Sequence, residues 1–172
     1  MSTLLIAAII IGSIAAICFL LVNIHNKHKR EAMNNLLKNF HEAGTENGLS
    51  FSSQEVLKNS ILGLDGVHRK ILVVMQKDNF HSSSVINLNE VKNCSVKKIY
   101  GTLNSGDLKN NKTEPYLEKI VLHFEMNGKP SSEIVFYQHF DNHIYETLEL
   151  EQKAKHWEAI LSKMQTPLKK IA

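Results

Sequence analysis

Apolar and polar positions follow three rhythms along this chain, and each predicts a different kind of element. From Leu4 to Val22 no charged side chain occurs over 19 residues. At about 1.5 Å of helical rise per residue the run spans roughly 28 Å, close to the ~30 Å hydrocarbon core of a bilayer. Residues 1–25 are therefore expected to form a transmembrane anchor, with Leu4, Ile10, Phe19 and Val22 among the side chains in lipid. The second rhythm is helical and one-sided. Met33, Leu36, Leu37 and Phe40 recur at i, i+3, i+4 and i+7 on an otherwise polar stretch. Residues 26–48 thus read as a juxtamembrane helix and linker, ended by Gly44, Asn47 and Gly48. Such a helix either continues the anchor, bends onto the headgroups, or packs its stripe against the body of the protein or a partner.

The third rhythm has a period of two, the signature of half-buried strands. Asn59–Leu64 and Arg69–Lys77 predict two strands joined at Asp65-Gly66, a hairpin signal. Ile71 to Met75 is continuously apolar, as in a strand covered on both faces. Further strands are expected over Ser83–Leu88, Cys94–Tyr100, Tyr116–Met126 and Glu133–Gln138. The polar, breaker-rich segment Leu103–Pro115 predicts a loop, and Asn127-Gly128-Lys129 a turn. From Thr147 to Gln165 the spacing becomes helical again, with Leu150, Ala154, Trp157, Leu161 and Met164 on one stripe and Pro167 as its stop. The expected fold class is α+β: a transmembrane helix, then an antiparallel sheet or partial barrel of about six strands (residues 49–166) capped by a C-terminal amphipathic helix, and a tail over 167–172.

That element order resembles the pleckstrin-homology (PH) superfold, a bent sheet closed at one end by a C-terminal helix. The phrases Ile61-Leu62-Gly63-Leu64-Asp65, Val85-Ile86-Asn87-Leu88-Asn89-Glu90-Val91 and Leu150-Glu151-Gln152-Lys153-Ala154-Lys155-His156-Trp157 are similar to a group of small bacterial single-pass membrane proteins with a PH-like cytoplasmic domain. The resemblance implies location and architecture and brings no active site to carry over. In lipid-binding members of the superfold a basic cluster sits on the first hairpin. The matching positions here are His68, Arg69 and Lys70, beside the acidic Asp65.

Charge sets the orientation of the expected anchor. No basic residue precedes the apolar run, whereas Lys27, Lys29 and Arg30 follow it closely. The positive flank stays cytoplasmic, which predicts a single-pass protein of the cell inner membrane with its N-terminus outside and its C-terminal domain inside. A signal peptide would carry a basic start and a small-residue cleavage site. Met1-Ser2-Thr3 lacks the first, and Ile17 before Cys18 is too bulky for lipoprotein processing. A periplasmic domain released by signal cleavage is the competing topology. All 20 Lys/Arg and 17 Asp/Glu lie beyond the run, leaving +3 on the remainder. So even a balance argues against nucleic acid as a partner.

No local motif for catalysis occurs: no phosphate-cradling glycine loop, nucleophile elbow or paired carboxylates. Cys94 lies among apolar neighbours and reads as a buried strand position. His139, Asp141 and His143 fall close together, but in a segment that looks like a turn, short of the three or four preoriented ligands a metal needs. No enzyme activity, cofactor or metal is expected. The function class that fits is a membrane-anchored protein-interaction module, partnered by the bilayer through its N-terminal helix and by a protein. A lipid- or small-ligand-binding domain is the alternative.

Overall fold

The computed structural model describes residues 2–77, 80–104 and 113–165; the side chains of residues 2–10, 14, 15, 103, 104, 113, 114 and 165 lie outside that description. The first element, α1, is one uninterrupted helix from Ser2 to Glu46. It passes without a break from the apolar run into the amphipathic stretch. Asn47 and Gly48 end it: the Gly48 N–H donates to Thr45 O at 3.0 Å and that of Leu49 to Gly44 O at 2.9 Å. Gly48 takes the left-handed conformation this closure requires, with φ of +61°. Gly44, expected as a stop, lies inside the helix instead. Its missing side chain admits the Phe51 ring, which would sit 2.7 Å from a Cβ there.

Seven strands follow: β1 (Ser53–Val56), β2 (Ser60–Asp65), β3 (Lys70–Lys77), β4 (Phe80–Asn87), β5 (Val91–Asn104), β6 (Thr113–Met126) and β7 (Ser132–Gln138), then helix α2 (Thr147–Gln165). They form two antiparallel meanders, β1-β2-β3-β4 and β5-β6-β7. The chain is α+β, as expected, with one strand more than the six anticipated. The extra strand is β1, whose four residues are too few to display a period. No closed barrel forms among the described residues, because the two sheets do not hydrogen-bond to each other. The hairpin expected at Asp65-Gly66 exists but is wider, since Asp65 pairs with Lys70 and four residues make the turn. β5 and β6 also run into the expected 103–115 loop, to Asn104 and from Thr113. Residues 105–112 lie outside the described residues. Pro115 is accommodated because β7 reaches β6 only from Lys119 onward, leaving that end of β6 paired on one side.

The centre of the first sheet, β2 and the first half of β3, is buried on both faces, which accounts for the unbroken Ile71–Val74 run. On its inner face Leu62, Leu64, Ile71 and Val73 meet the second sheet's Ile120, Leu122 and Phe124 and the α2 stripe of Leu150, Ala154, Trp157 and Leu161. On its outer face Ile61, Leu72 and Val74 meet Leu36, Phe40 and Ala43 of α1. Phe40 and Phe51 stack with ring centroids 4.6 Å apart over Gly63, where a Cβ would come within 2.5 Å of Phe40. Of the uses open to the juxtamembrane stripe, the structure shows packing against the body: it forms a second core, and α1 is built into the folded body.

The transmembrane span expected over residues 1–25 is not supplied by the described residues. Among them no helix is long and apolar enough to cross a membrane. The side chains of Leu4 and Ile10 lie outside that description. Phe19 and Val22 fall within it, and both are exposed, at 68% and 57%. The tail over 167–172 also lies outside the described residues.

Candidate interaction surface

The connection between β7 and α2 is short and densely hydrogen-bonded. The N–H groups of Asp141 and Asn142 both donate to Gln138 O, at 3.0 and 2.9 Å. Asn142 reciprocates, its Oδ1 accepting from the Gln138 N–H at 3.1 Å while its Nδ2 donates to Glu146 Oε2 at 3.1 Å. The same Glu146 oxygen accepts from the His143 N–H at 3.0 Å, closing the single 3₁₀ turn Ile144–Glu146 that leads into α2. These bonds, first from Asn142 and then from His143, hold the Glu146 carboxyl below its ordinary pKa. Lys58, from the β1–β2 turn, donates to Asp141 O. His139 lies against Tyr116 with ring centroids 4.9 Å apart.

A segment so fixed would be unremarkable if its apolar side chains turned inward. They turn outward: Phe140 is 80% exposed, Ile144 70%, Tyr145 92% and Leu148 68%. Isolated exposed apolar residues are normal on any protein; here four large ones fall within nine positions on a fixed backbone. Sequence patterning overlooked them. One signal was present, since Leu148 is two residues before Leu150 and so about 200° around the helix from the buried stripe. Ile144 and Tyr145 precede α2 and carry no period.

At the other end of α2 lie His68, Arg69 and Lys70, brought together on the β2–β3 turn. Asp65 is fully buried there and accepts from the N–H groups of Ser50 and His68, each at 2.8 Å, with His68 Nδ1 2.7 Å away. The His68 backbone and side chain, then Ser50, hold its pKa well below the usual carboxylate range. Arg69, at φ of +54°, donates to Met164 O in the last turn of α2, a favourable place for a cation. Two of the three basic candidates are thus engaged within the fold. Lys27 lies 3.9 Å from Glu31, and Lys29 and Arg30 are exposed on the same helix.

α2 is tied to an edge of each sheet. Lys98 of β5 meets Glu151 at 2.7 Å, Glu55 of β1 meets Lys153 at 3.2 Å, and Glu158 accepts from the Val96 N–H of β5 at 3.0 Å. Cys94 beside this seam is buried, and burial, then the Glu158 charge, pushes its thiol up to about 12. At neutral pH it is a protonated, weak nucleophile. Among the described residues no group of three His, Cys, Asp or Glu could hold a metal ion. No protein-family model matches the chain, and no curated protein or solved structure matches it significantly.

Proposed function

We propose that this chain is a membrane-tethered, non-enzymatic protein-interaction module whose PH-like body faces the cell interior. The observation that carries the proposal is the β7–α2 connection, where a hydrogen-bonded frame holds Phe140, Ile144, Tyr145 and Leu148 out to solvent. Holding large apolar groups in place before contact lowers the ordering cost of binding, and aromatic anchors dominate protein interfaces. The PH-like assignment is supported by a four-stranded meander, a three-stranded meander and a terminal helix in that order.

The tether is supported by the charge-free run Leu4–Val22 and its basic flank of Lys27, Lys29 and Arg30. It is also supported by the exposure of Ile17, Phe19, Leu20, Leu21 and Val22, each more than half open. Leu36, where α1 first becomes buried, lies 14 residues beyond Val22. A continuous helix would set the body about 20 Å from the anchor. Confinement to that layer raises the concentration of the surface for partners at the same membrane. Lipid recognition by the first hairpin is less well supported, because His68 and Arg69 already face internal acceptors.

The test is site-specific photocrosslinking in cells, with a photoreactive phenylalanine at Tyr145 and, as control, at the exposed His156 on α2. A discrete protein adduct from position 145 that is missing from 156 supports the proposal. Equal adducts from both, or none from 145, would sink it. Protease added outside intact cells should spare the body, and digestion would reverse the orientation.

A further inference from the structure

The first sheet has one long open edge, and its occupant is legible from the charges beside it. Edge strands are normally blunted by charge, proline, shortness or cover. β1 is only four residues long, and the β5 edge is met by Glu158 of α2 at Val96. β4 has none of these devices. Its eight residues, Phe80-His81-Ser82-Ser83-Ser84-Val85-Ile86-Asn87, include no proline, lysine or carboxylate, and the first six are exposed.

The direction of its backbone groups follows from one bond. The Leu88 N–H donates to Arg69 O at 2.8 Å, and antiparallel pairing alternates strictly. Ile86, Ser84 and Ser82 therefore turn their backbone groups toward β3, and His81, Ser83 and Val85 turn theirs to the open side. Beside this edge a groove of about 190 Å³ runs between β4 and α1, lined by Glu42 and Glu46 of the helix and by His81 and Ser83 of the strand. The two glutamates lie one turn apart, a spacing at which like charges repel. Lys38 reaches Glu42 at 3.7 Å, and Glu46 has no ion-pair partner among the described residues.

We infer that the β4 edge takes an extended segment of a partner protein in which basic and apolar residues alternate. Main-chain hydrogen bonds to His81, Ser83 and Val85 hold the added strand. Its basic side chains face Glu42 and Glu46, and its apolar ones face the opposite side, where Phe80 is 82% exposed and Met75 41%. This surface is separate from the β7–α2 connection and does not depend on it.

The test uses the full chain in detergent micelles and a short fluorescent peptide alternating Lys and Val, read by anisotropy. Binding should weaken at least about tenfold when the peptide amides that face β4 are N-methylated, since that removes the hydrogen bonds holding the added strand. It should weaken comparably in a Glu42→Gln, Glu46→Gln double variant, which leaves the strand untouched, and fall with salt. Ser83→Pro should abolish it, because proline there removes an outward donor and none of the bonds to β3. Tyr145→Ser should leave it unchanged. Absence of binding, equal binding of the N-methylated peptide, or equal binding of a Glu-Val peptide would overturn the inference. A chain that runs as a dimer and becomes monomeric with Ser83→Pro would assign the edge to a second copy and overturn it too.

Discussion

The two ends of α2 solve opposite problems with the same tool. At its C-terminal end, the β2–β3 turn uses side-chain hydrogen bonds to hide a charge: Asp65 is fully buried and satisfied by Ser50 and His68. At its N-terminal end, the β7–α2 connection uses them to hold apolar groups in water, with Asn142 and Glu146 framing Phe140 and Tyr145. Burying a charge is stable only with full satisfaction, and exposing four large apolar side chains yields no folding free energy. The first arrangement therefore serves the fold. The second brings no such return, and it is the arrangement on which the proposed contact surface rests.

Because both loops hang on α2, the contrast is broken most completely by removing what seats the helix. Trp157 is buried at 2% exposure among the two sheets' inner side chains. Trp157→Ala should cost about 3–5 kcal/mol, read as a fall in denaturation midpoint. A loss under about 1 kcal/mol would mean that α2 is not integral to the core.

A smaller effect separates the ends by pH. The Asp65 pKa is lower in the folded chain than in the unfolded one, where aspartate titrates near about 3.9. Its contribution is complete above that value and is lost as pH falls toward the depressed folded value. Wild type should therefore lose stability below about pH 4 more steeply than Asp65→Asn, which starts less stable at neutral pH. Superimposable acid slopes would show that the buried carboxylate is not charged in the fold.

At the other end, Asn142→Ala removes the acceptor for the Gln138 N–H and a donor to Glu146. The expected loss is about 1 kcal/mol, with faster amide exchange confined to residues 139–147. Protection unchanged in that segment would show that the connection is not held by this frame.

What was readable beforehand divides along physical lines. Elements with a buried face announced themselves: the α2 stripe appeared over Thr147–Gln165 as expected, and the β6 alternation began only three residues early. Burial on two faces erased the period in β2 and β3, though not their apolarity. Gly44 and Gly63 read as breakers or blanks because their role is to make room for the Phe40 and Phe51 rings, which only the fold brings against them. The stripe Met33–Phe40 was visible, but what it covers was not, since a stripe specifies a partner's chemistry and not its identity. The basic residues His68 and Arg69 suggested a ligand, yet their acceptors, Asp65 and Met164, belong to the fold. Apart from Leu148, off the α2 stripe, the exposed apolar positions left no pattern, because nothing in the fold repeats against them.

The smallest stability effect makes the sharpest distinction. Tyr145 is 92% exposed, and neither its ring nor its hydroxyl has a partner among the described contacts. Tyr145→Ser should shift stability by no more than about 0.5 kcal/mol, the usual range for a surface change. Interface anchors behave differently, since truncating an aromatic at the centre of a contact costs about 2 kcal/mol or more, a loss of roughly thirtyfold in affinity. Capture of the crosslinked partner should therefore collapse in a chain whose unfolding curve is unmoved. Asn142→Ala should weaken capture less, because it loosens the frame and keeps the anchor. If Tyr145→Ser instead left capture intact, or lowered stability by several kcal/mol, the exposed side chains would belong to the fold's own economy. The difference between the two ends of α2 would then be one of packing alone.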